Sequence, residues 1–89
     1  MTDQEIVARI NEALVKEFEL DPDAMTPDAT LFDALKLDSL DMVDMVVVLE
    51  KTFQYKIRDE AEIRQIRTLG DIHGFITRKA RELEAASRG

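Results

Sequence analysis

The sequence of 89 residues contains no cysteine, only three glycines and two prolines, and no long run of apolar residues. The absence of cysteine excludes disulfide bonds and thiolate metal sites and is typical of a reducing compartment, so we expect a cytoplasmic protein. The scarcity of glycine and proline permits long uninterrupted helices. Because no apolar run approaches the roughly 20 residues that span a bilayer, we expect no membrane insertion.

Catalytic and metal-binding patterns are also missing. The single histidine, His73, falls within a predicted helix and has no cysteine to pair with, which favours a packing or surface role. Residues 21–23 (Asp-Pro-Asp) resemble the start of a calcium-binding loop, but Met25 stands at the third ligand position and Thr26 where glycine is required. We therefore expect a non-catalytic protein without a metal site.

The charge of the chain is unevenly distributed. The net charge is -7. Residues 20–50 carry eight acidic residues and one basic residue, whereas residues 51–89 carry six acidic and nine basic residues. The acidic middle disfavours nucleic acid and anionic membranes as partners and favours basic protein surfaces. Charge alone leaves open that the acids serve only solubility. The length allows one domain, spanning residues 1–89.

A first helix is predicted from a capping box, in which Thr2 caps the helix and Glu5 reaches back. It should end at Asp21-Pro22, because proline disfavours helical geometry in the residue before it. One apolar stripe follows the cap: Ile6, Val7, Ile10, Ala13, Leu14 and Phe18. Residues 19–37 then form a long loop with a short turn begun by Thr30, and such loops are often functional. Its apolar residues are expected to pack across the bundle: Leu31, Phe32, Leu35 and Leu37.

A second helix is predicted to begin after Asp38, a good N-cap, with Asp41 near the positive end of the helix dipole. The valine-rich run 45–49 has strand propensity, but the cap, the length and the spacing of the charged residues favour a helix. Leu40, Val43 and Val47 fall on one side of it. The residues expected to widen this apolar face are Met42, Met45, Val46, Leu49 and Phe53.

A short third helix is predicted over residues 59–66, and a last helix from Thr68, where Asp71 completes a capping arrangement. Residues 84–89 are expected to fray. The core-facing residues of the last helix are Leu69, Ile72, Phe75, Ile76, Ala80 and Leu83. Together the elements predict a small all-α four-helix bundle, with three long helices, one short third helix and a long loop between the first two.

The most specific pattern lies between Leu37 and Phe53: Asp-Ser-Leu-Asp, then valine, an acid, a hydrophobic run, Leu-Glu and phenylalanine. This stretch resembles the attachment region of the acyl carrier proteins. Similarity to that family extends to Ile57, Asp59 and Glu60, to residues 66–72, and to the first helix, the loop with its prolines and Phe32. The resemblance covers nearly the whole chain and indicates a stand-alone (type II) acyl carrier protein that acts as a monomer.

The resemblance implies that Ser39 carries a 4′-phosphopantetheine arm from coenzyme A, whose terminal thiol holds acyl groups as thioesters. Asp38 and Leu40 flank the attachment residue, and Asp38 points to an acyl rather than a peptidyl carrier. At the first position of a helix, the phosphodiester would lie beside unpaired N–H groups and the positive end of the dipole. The implied role is in fatty-acid or related specialised acyl or polyketide biosynthesis.

The implied partners are a phosphopantetheinyl transferase, acyl synthases and acyltransferases, each with a basic docking patch. The residues expected to bind partners are Asp38, Asp41, Asp44, Val47, Glu50 and Ile57. The residues expected to line an expandable acyl pocket are Phe32, Val43, Val47, Leu49, Ile66 and Leu69.

Two positions depart from the residue that is usual in the family. Lys36 occupies a position where the family usually has glycine, and Arg58 replaces the proline that commonly follows the isoleucine at position 57. The alternative hypothesis is a helical protein-interaction module without a prosthetic group. In that case Ser39 would be no more than a cap of its helix.

Overall fold

The described part of the chain contains four α-helices. The computed structural model describes the backbone of residues 2–54 and 60–88 and the side chains of residues 2–54 and 61–85. The elements are α1 (Asp3–Phe18), a one-turn 3₁₀ helix (Pro22–Ala24), α2 (Ser39–Phe53), α3 (Glu60–Ile63) and α4 (Leu69–Arg88). Within these residues the one β-type pairing is an isolated bridge between Thr30 and Thr68. The predicted small all-α four-helix fold is confirmed, and none of the described helices is long and apolar enough to cross a membrane.

Helix α1 packs against both α2 and α4. Its predicted capping box is present: the Glu5 N–H donates to Thr2 Oγ1 at 3.2 Å, and the Thr2 N–H donates to Glu5 Oε1 at 3.0 Å. The hydrogen bond from the Thr2 backbone holds the pKa of Glu5 below its usual value. The predicted stripe faces the core, with Ile6, Ile10 and Leu14 buried and Val7, Ala13 and Phe18 half-buried.

The end of α1 was predicted too late. The helix stops at Phe18, before Asp21-Pro22, because Glu19 adopts a left-handed conformation with φ of 53°. The Leu20 N–H then donates to the Val15 carbonyl at 3.2 Å, which satisfies one of the last free carbonyls of the helix. The proline therefore acts one turn further on, at the start of the 3₁₀ helix.

The loop between α1 and α2 buries its leucines. Ala29, Leu31, Leu35 and Leu37 belong to the core. The predicted turn at Thr30 is confirmed, since the Ala34 N–H donates to Thr30 Oγ1 at 3.0 Å. Phe32 was expected to pack with the leucines but is 46% exposed, because the turn that buries the leucines directs this side chain outward.

Main-chain hydrogen bonds attach this loop to the start of α4. The N–H groups of Leu69 and Gly70 donate to the carbonyls of Ala29 at 2.9 Å and Pro27 at 2.7 Å. The first N–H groups of a helix have no partner within it. The loop carbonyls therefore take the place of capping side chains at two of these positions.

The start of α4 also has the predicted capping arrangement. The Asp71 N–H donates to Thr68 Oγ1 at 3.2 Å, and the Thr68 N–H donates to Asp71 Oδ2 at 3.1 Å. The same carboxylate accepts from the Arg67 N–H at 2.9 Å. Hydrogen bonds from the backbone of Arg67 and Thr68 lower the pKa of Asp71. The Leu31 N–H donates to the Arg67 carbonyl at 3.0 Å, so the cap and the loop form one hydrogen-bonded unit.

Helix α3 is shorter than the predicted segment 59–66. It spans Glu60–Ile63, and Asp59 lies outside the described residues. The helix stops early because the chain turns to bury Ile66, whose N–H donates to the Ile63 carbonyl at 3.1 Å. An ion pair between Glu62 and Arg78 ties α3 to α4.

The core face of α4 follows the prediction over most of its length. Leu69, Ile72, Phe75 and Ile76 are buried and Ala80 is half-buried. Leu83 was expected in the core but is exposed, because α4 passes the start of α1 at the ion pair between Arg81 and Asp3. The backbone of residues 84–88 is helical, and the expectation that this end frays stays a prediction.

His73 is a packing residue in the interface between α1 and α4. Its side chain is buried, and Nε2 lies 2.7 Å from Asn11 Oδ1. Burial lowers the pKa of His73, because the charged ring would lose its hydration. The role favoured from the sequence is the one that the structure gives it.

The close approach of the loop to α4 requires glycine at position 70. A Cβ there would lie 2.8 Å from the Pro27 carbonyl oxygen, which is bonded to the Gly70 N–H. We expect Gly70→Ala to destabilise the protein by about 1–3 kcal/mol, because the clash outweighs the better helix propensity of alanine. Urea unfolding monitored by far-UV circular dichroism measures this change.

Gly74, one turn further along α4, provides the matched control. A Cβ at Gly74 would meet no atom within 4 Å. Gly74→Ala should therefore stabilise the protein by about 0.5–1 kcal/mol through helix propensity alone. Stabilisation of both variants by the same amount would contradict the packing of the loop against Gly70.

Candidate functional site

The start of α2 holds the candidate attachment residue. Ser39 occupies the first helical position and is exposed. The N-cap is Asp38: its Oδ1 accepts from the Asp41 N–H at 2.8 Å, and Asp41 Oδ2 accepts from the Asp38 N–H at 3.0 Å. The predicted N-cap at Asp38 is present, and the bond from the Asp38 N–H to Asp41 completes a capping box that was not predicted. The cap is thus supplied by the aspartates, and the Ser39 hydroxyl is left outside it.

The capping box leaves two N–H groups without an acceptor. The bonds between Asp38 and Asp41 satisfy the N–H groups of those two residues. No acceptor for the N–H of Ser39 or Leu40 is found among the residues that the structure describes. Unpaired N–H groups at the positive end of a helix dipole favour an anion. The local geometry therefore suits a phosphodiester on the Ser39 oxygen.

A left-handed turn brings the chain into α2. Lys36 has φ of 58°, and the Leu37 N–H donates to the Leu31 carbonyl at 2.9 Å across the turn. Leu35 and Leu37, on either side of Lys36, are both buried. A residue with a Cβ is strained in this conformation by about 1 kcal/mol, and glycine is not. This geometry is the physical reason why glycine suits the position where this chain has lysine.

Helix α2 carries an exposed apolar stripe, which corrects the predicted core face. Met45 and Leu49 are buried, and Met42, Val46 and Phe53 pack against the core from its edge. Leu40, Val43 and Val47 form a separate stripe and are 76%, 62% and 41% exposed. The two stripes share helical spacing but lie on different sides of α2. The predicted single wide face was therefore two faces, and only one of them contacts α1 and the loop.

Five of the six residues predicted to bind partners lie in the described part of the chain, on α2 and its cap. Asp38 and Asp44 are exposed, Asp41 and Glu50 are half-buried, and Val47 belongs to the exposed stripe. Ile57, the sixth, lies outside the described residues. Leu40 and Val43 share the exposed stripe with Val47. Their spacing of three and four residues was the signal available in the sequence for this stripe.

The residues predicted to line an acyl pocket divide into two groups. Leu49, Ile66 and Leu69 are buried in the core, whereas Phe32, Val43 and Val47 are exposed. The six residues thus do not enclose one interior space in this structure. No three histidine, aspartate or glutamate side chains lie close enough to hold a metal ion, within the described ranges 2–54 and 61–85.

Comparisons with known proteins agree with the geometry of this site. Residues 5–76 match the family described as the phosphopantetheine attachment site. Acyl carrier protein 2 of Ralstonia nicotianae is 40% identical over 76 residues, which cover 85% of this chain and 93% of that protein. The acyl carrier protein of Thermotoga maritima is 36% identical over the same shares of both chains. The meromycolate extension acyl carrier protein of Mycobacterium bovis is 33% identical over 99% of this chain and 76% of that protein.

The aligned segments cover most of each relative's length as well as most of this chain. The family carries its acyl cargo on a 4′-phosphopantetheine group and works with acyl-processing enzymes. A capped helix start with a free serine and two free N–H groups lies within the matched segment. The chain therefore belongs to the acyl carrier proteins, and its role is to carry acyl groups.

Proposed function

We propose that Ser39 is the residue to which the 4′-phosphopantetheine arm is attached. The observation that carries the proposal is the exposed hydroxyl at the first position of α2, beside the free N–H groups of Ser39 and Leu40. Ser39 is also the one serine in the matched residues 5–76. The alternative role, a serine that merely caps its helix, is taken here by Asp38.

Each residue at the start of α2 has a separate task in this proposal. In the transferase complex the Ser39 hydroxyl gives up its proton to a base of the transferase, and its oxygen attacks the phosphorus of coenzyme A that bears the pantetheine. The pyrophosphate bond breaks, adenosine 3′,5′-bisphosphate leaves, and the Ser39 oxygen becomes the bridging ester oxygen. Asp38 and Asp41 hold the helix start rigid through their reciprocal bonds. The N–H groups of Ser39 and Leu40 face the new phosphodiester. Once attached, the arm supplies a terminal thiol that carries acyl groups as thioesters.

Substitution of Ser39 tests the attachment. Because Asp38 provides the cap, Ser39→Ala should leave stability within about 0.5 kcal/mol of the parent protein. After incubation with coenzyme A and a phosphopantetheinyl transferase, intact mass should rise by one phosphopantetheine in the parent and not in the variant. Ser87→Ala is the control and should be modified like the parent. A mass gain in Ser39→Ala would show that another residue accepts the arm.

We further propose that the exposed face of α2 is where partner enzymes dock. Acidic residues lie along the helix at Asp38, Asp41, Asp44 and Glu50, and the apolar stripe of Leu40, Val43 and Val47 lies among them. A partner with a basic patch around an apolar centre would match this surface in charge and polarity. The proposed partners are a phosphopantetheinyl transferase, acyl synthases and acyltransferases. Ile57 remains a predicted member of this surface.

Charge reversal on α2 tests the docking surface. Asp44→Lys places a positive charge beside the stripe and should slow arm transfer about two- to tenfold at low salt. The difference should shrink as salt rises, because exposed charges are screened. Glu17→Lys makes the same change in charge on α1, where the residue is also exposed, and should leave the rate near that of the parent. Equal rates for Asp44→Lys and the parent at low salt would exclude docking through this acid.

The acyl pocket is proposed to form only when cargo is present. A chain held against α2 would cover the exposed Val43 and Val47, and to go deeper it must separate Leu49, Ile66 and Leu69. Phe32 is exposed and follows directly on Leu31, which is buried in the core. Burial of an eight-carbon chain contributes at most about 6 kcal/mol, at roughly 0.8 kcal/mol per methylene, and opening the core offsets part of this.

Thermal unfolding of loaded forms tests the pocket. The octanoyl form should melt several degrees higher than the form with a free thiol, because the chain leaves water. The acetyl form has the same thioester with almost no chain and is the control. If octanoyl and acetyl forms melt together, the cargo stays in solvent.

The proposed setting is fatty-acid or related specialised acyl biosynthesis in the cytoplasm, with the carrier itself non-catalytic.

A further inference from the structure

Lys36 combines backbone strain with an isolated positive charge. Its left-handed φ of 58° costs about 1 kcal/mol that glycine would avoid. The turn itself is needed, since it lets Leu35 and Leu37 enter the core on both sides. The lysine side chain is exposed and contributes nothing to that burial. The position therefore carries a strained residue whose side chain has no role in the fold.

The charge around the start of α2 gives the lysine a role. Residues 20–50 contain eight acidic residues, and Lys36 is the single basic residue in this range. Asp38 and Asp41 are fixed at the helix start by the capping box, and Asp44 follows one turn later. A phosphodiester on Ser39 adds a further negative charge to this cluster. The helix dipole offsets only part of the resulting repulsion.

Lys36 is the basic residue nearest to Ser39 in the sequence. It precedes Ser39 by three residues, so the two Cα atoms are at most about 11 Å apart, within reach of an extended lysine and an ester phosphate. The next base in the sequence, Lys51, stands twelve residues after Ser39, about 18 Å along the helix. Lys16 on α1 lies beside Thr52 in a surface depression, about 20 Å from the helix start.

We propose that Lys36 is a positioning residue for the prosthetic arm: its ammonium group pairs with the phosphodiester on Ser39 and holds the arm against the start of α2. The inference rests on the proposed attachment at Ser39. The ion pair exists only in the holo protein, because the phosphodiester is absent before the arm is attached.

The test compares apo and holo forms of the parent with four variants: Lys36→Gln, Lys36→Arg, Lys36→Gly and the control Lys16→Gln. The measured quantity is the melting temperature of the holo form minus that of the apo form. Loss of the pair in Lys36→Gln should lower this difference by about 1–6 °C. Lys36→Arg keeps the charge and should keep the difference, and Lys16→Gln should resemble the parent.

Lys36→Gly separates strain from charge. Its apo form should melt a few degrees above the parent apo form, because the left-handed turn is relaxed. Its gain on arm attachment should be as small as that of Lys36→Gln. At 1 M salt the holo-minus-apo values of the parent and Lys36→Gln should converge. As a second readout, the ³¹P resonance of the holo protein should move in Lys36→Gln and not in Lys16→Gln.

The outcomes separate this inference from the attachment itself. If Lys36→Gln lowers the apo and holo melting temperatures equally and leaves the ³¹P resonance unchanged, the pair does not exist, although Ser39 still carries the arm. If intact mass shows no arm on Ser39 in the parent, both the attachment and the pair are refuted. A smaller arm-dependent gain in Lys36→Gln than in Lys36→Arg supports the pair.

Discussion

The main-chain hydrogen bonds between residues 27–31 and the start of α4 fix the positions of both the loop and the attachment helix. They satisfy the first N–H groups of α4 and hold Pro27 against Gly70 at a distance that no larger residue allows. With the loop held there, Leu31, Leu35 and Leu37 fill the space between the helices. The left-handed turn at Lys36 follows from that burial, and α2 begins two residues later. The position of Ser39 is thus set by contacts made some ten residues earlier in the chain.

The features that depend on neighbouring residues were predictable from the sequence. Partners three or four residues apart form the capping boxes at Thr2 and Thr68, the turn at Thr30 and the Asp38 cap that sets Ser39 at the first position of α2. Residues of these types at these spacings are typical of helix caps and turns. The end of α1 depended instead on the left-handed conformation of Glu19. No residue type marks such a conformation when glycine is absent, so the proline was given too much weight.

The features that depend on distant contacts were not predictable in the same way. Helix α2 has two apolar stripes with the same helical period: Leu40, Val43 and Val47 form one, and Met45 and Leu49 form the other. Hydrophobicity alone does not show which stripe faces the core. The choice is made by α1 and the loop, which cover only the second stripe. The same applies to the bases of the second half. Of the five basic residues between 61 and 85, Arg78, Lys79 and Arg81 contact acids, and the sequence alone does not show which bases are paired.

The fold alone does not require three apolar side chains on the outer face of α2. Leu40 and Val43 keep 76% and 62% of their exposure, so they add less to the free energy of unfolding than buried residues of the same type, and Val47 keeps 41%. Replacement by polar helix formers would cost the core nothing and would improve solubility. The same reasoning holds for a lysine at position 36, where glycine would relieve strain. The exposed apolar stripe and Lys36 thus lie close in sequence to Ser39, next to the aspartates that cap the same helix. Stability is supplied by the opposite side of the same helix, and this division allows one short element to serve both the core and the cargo.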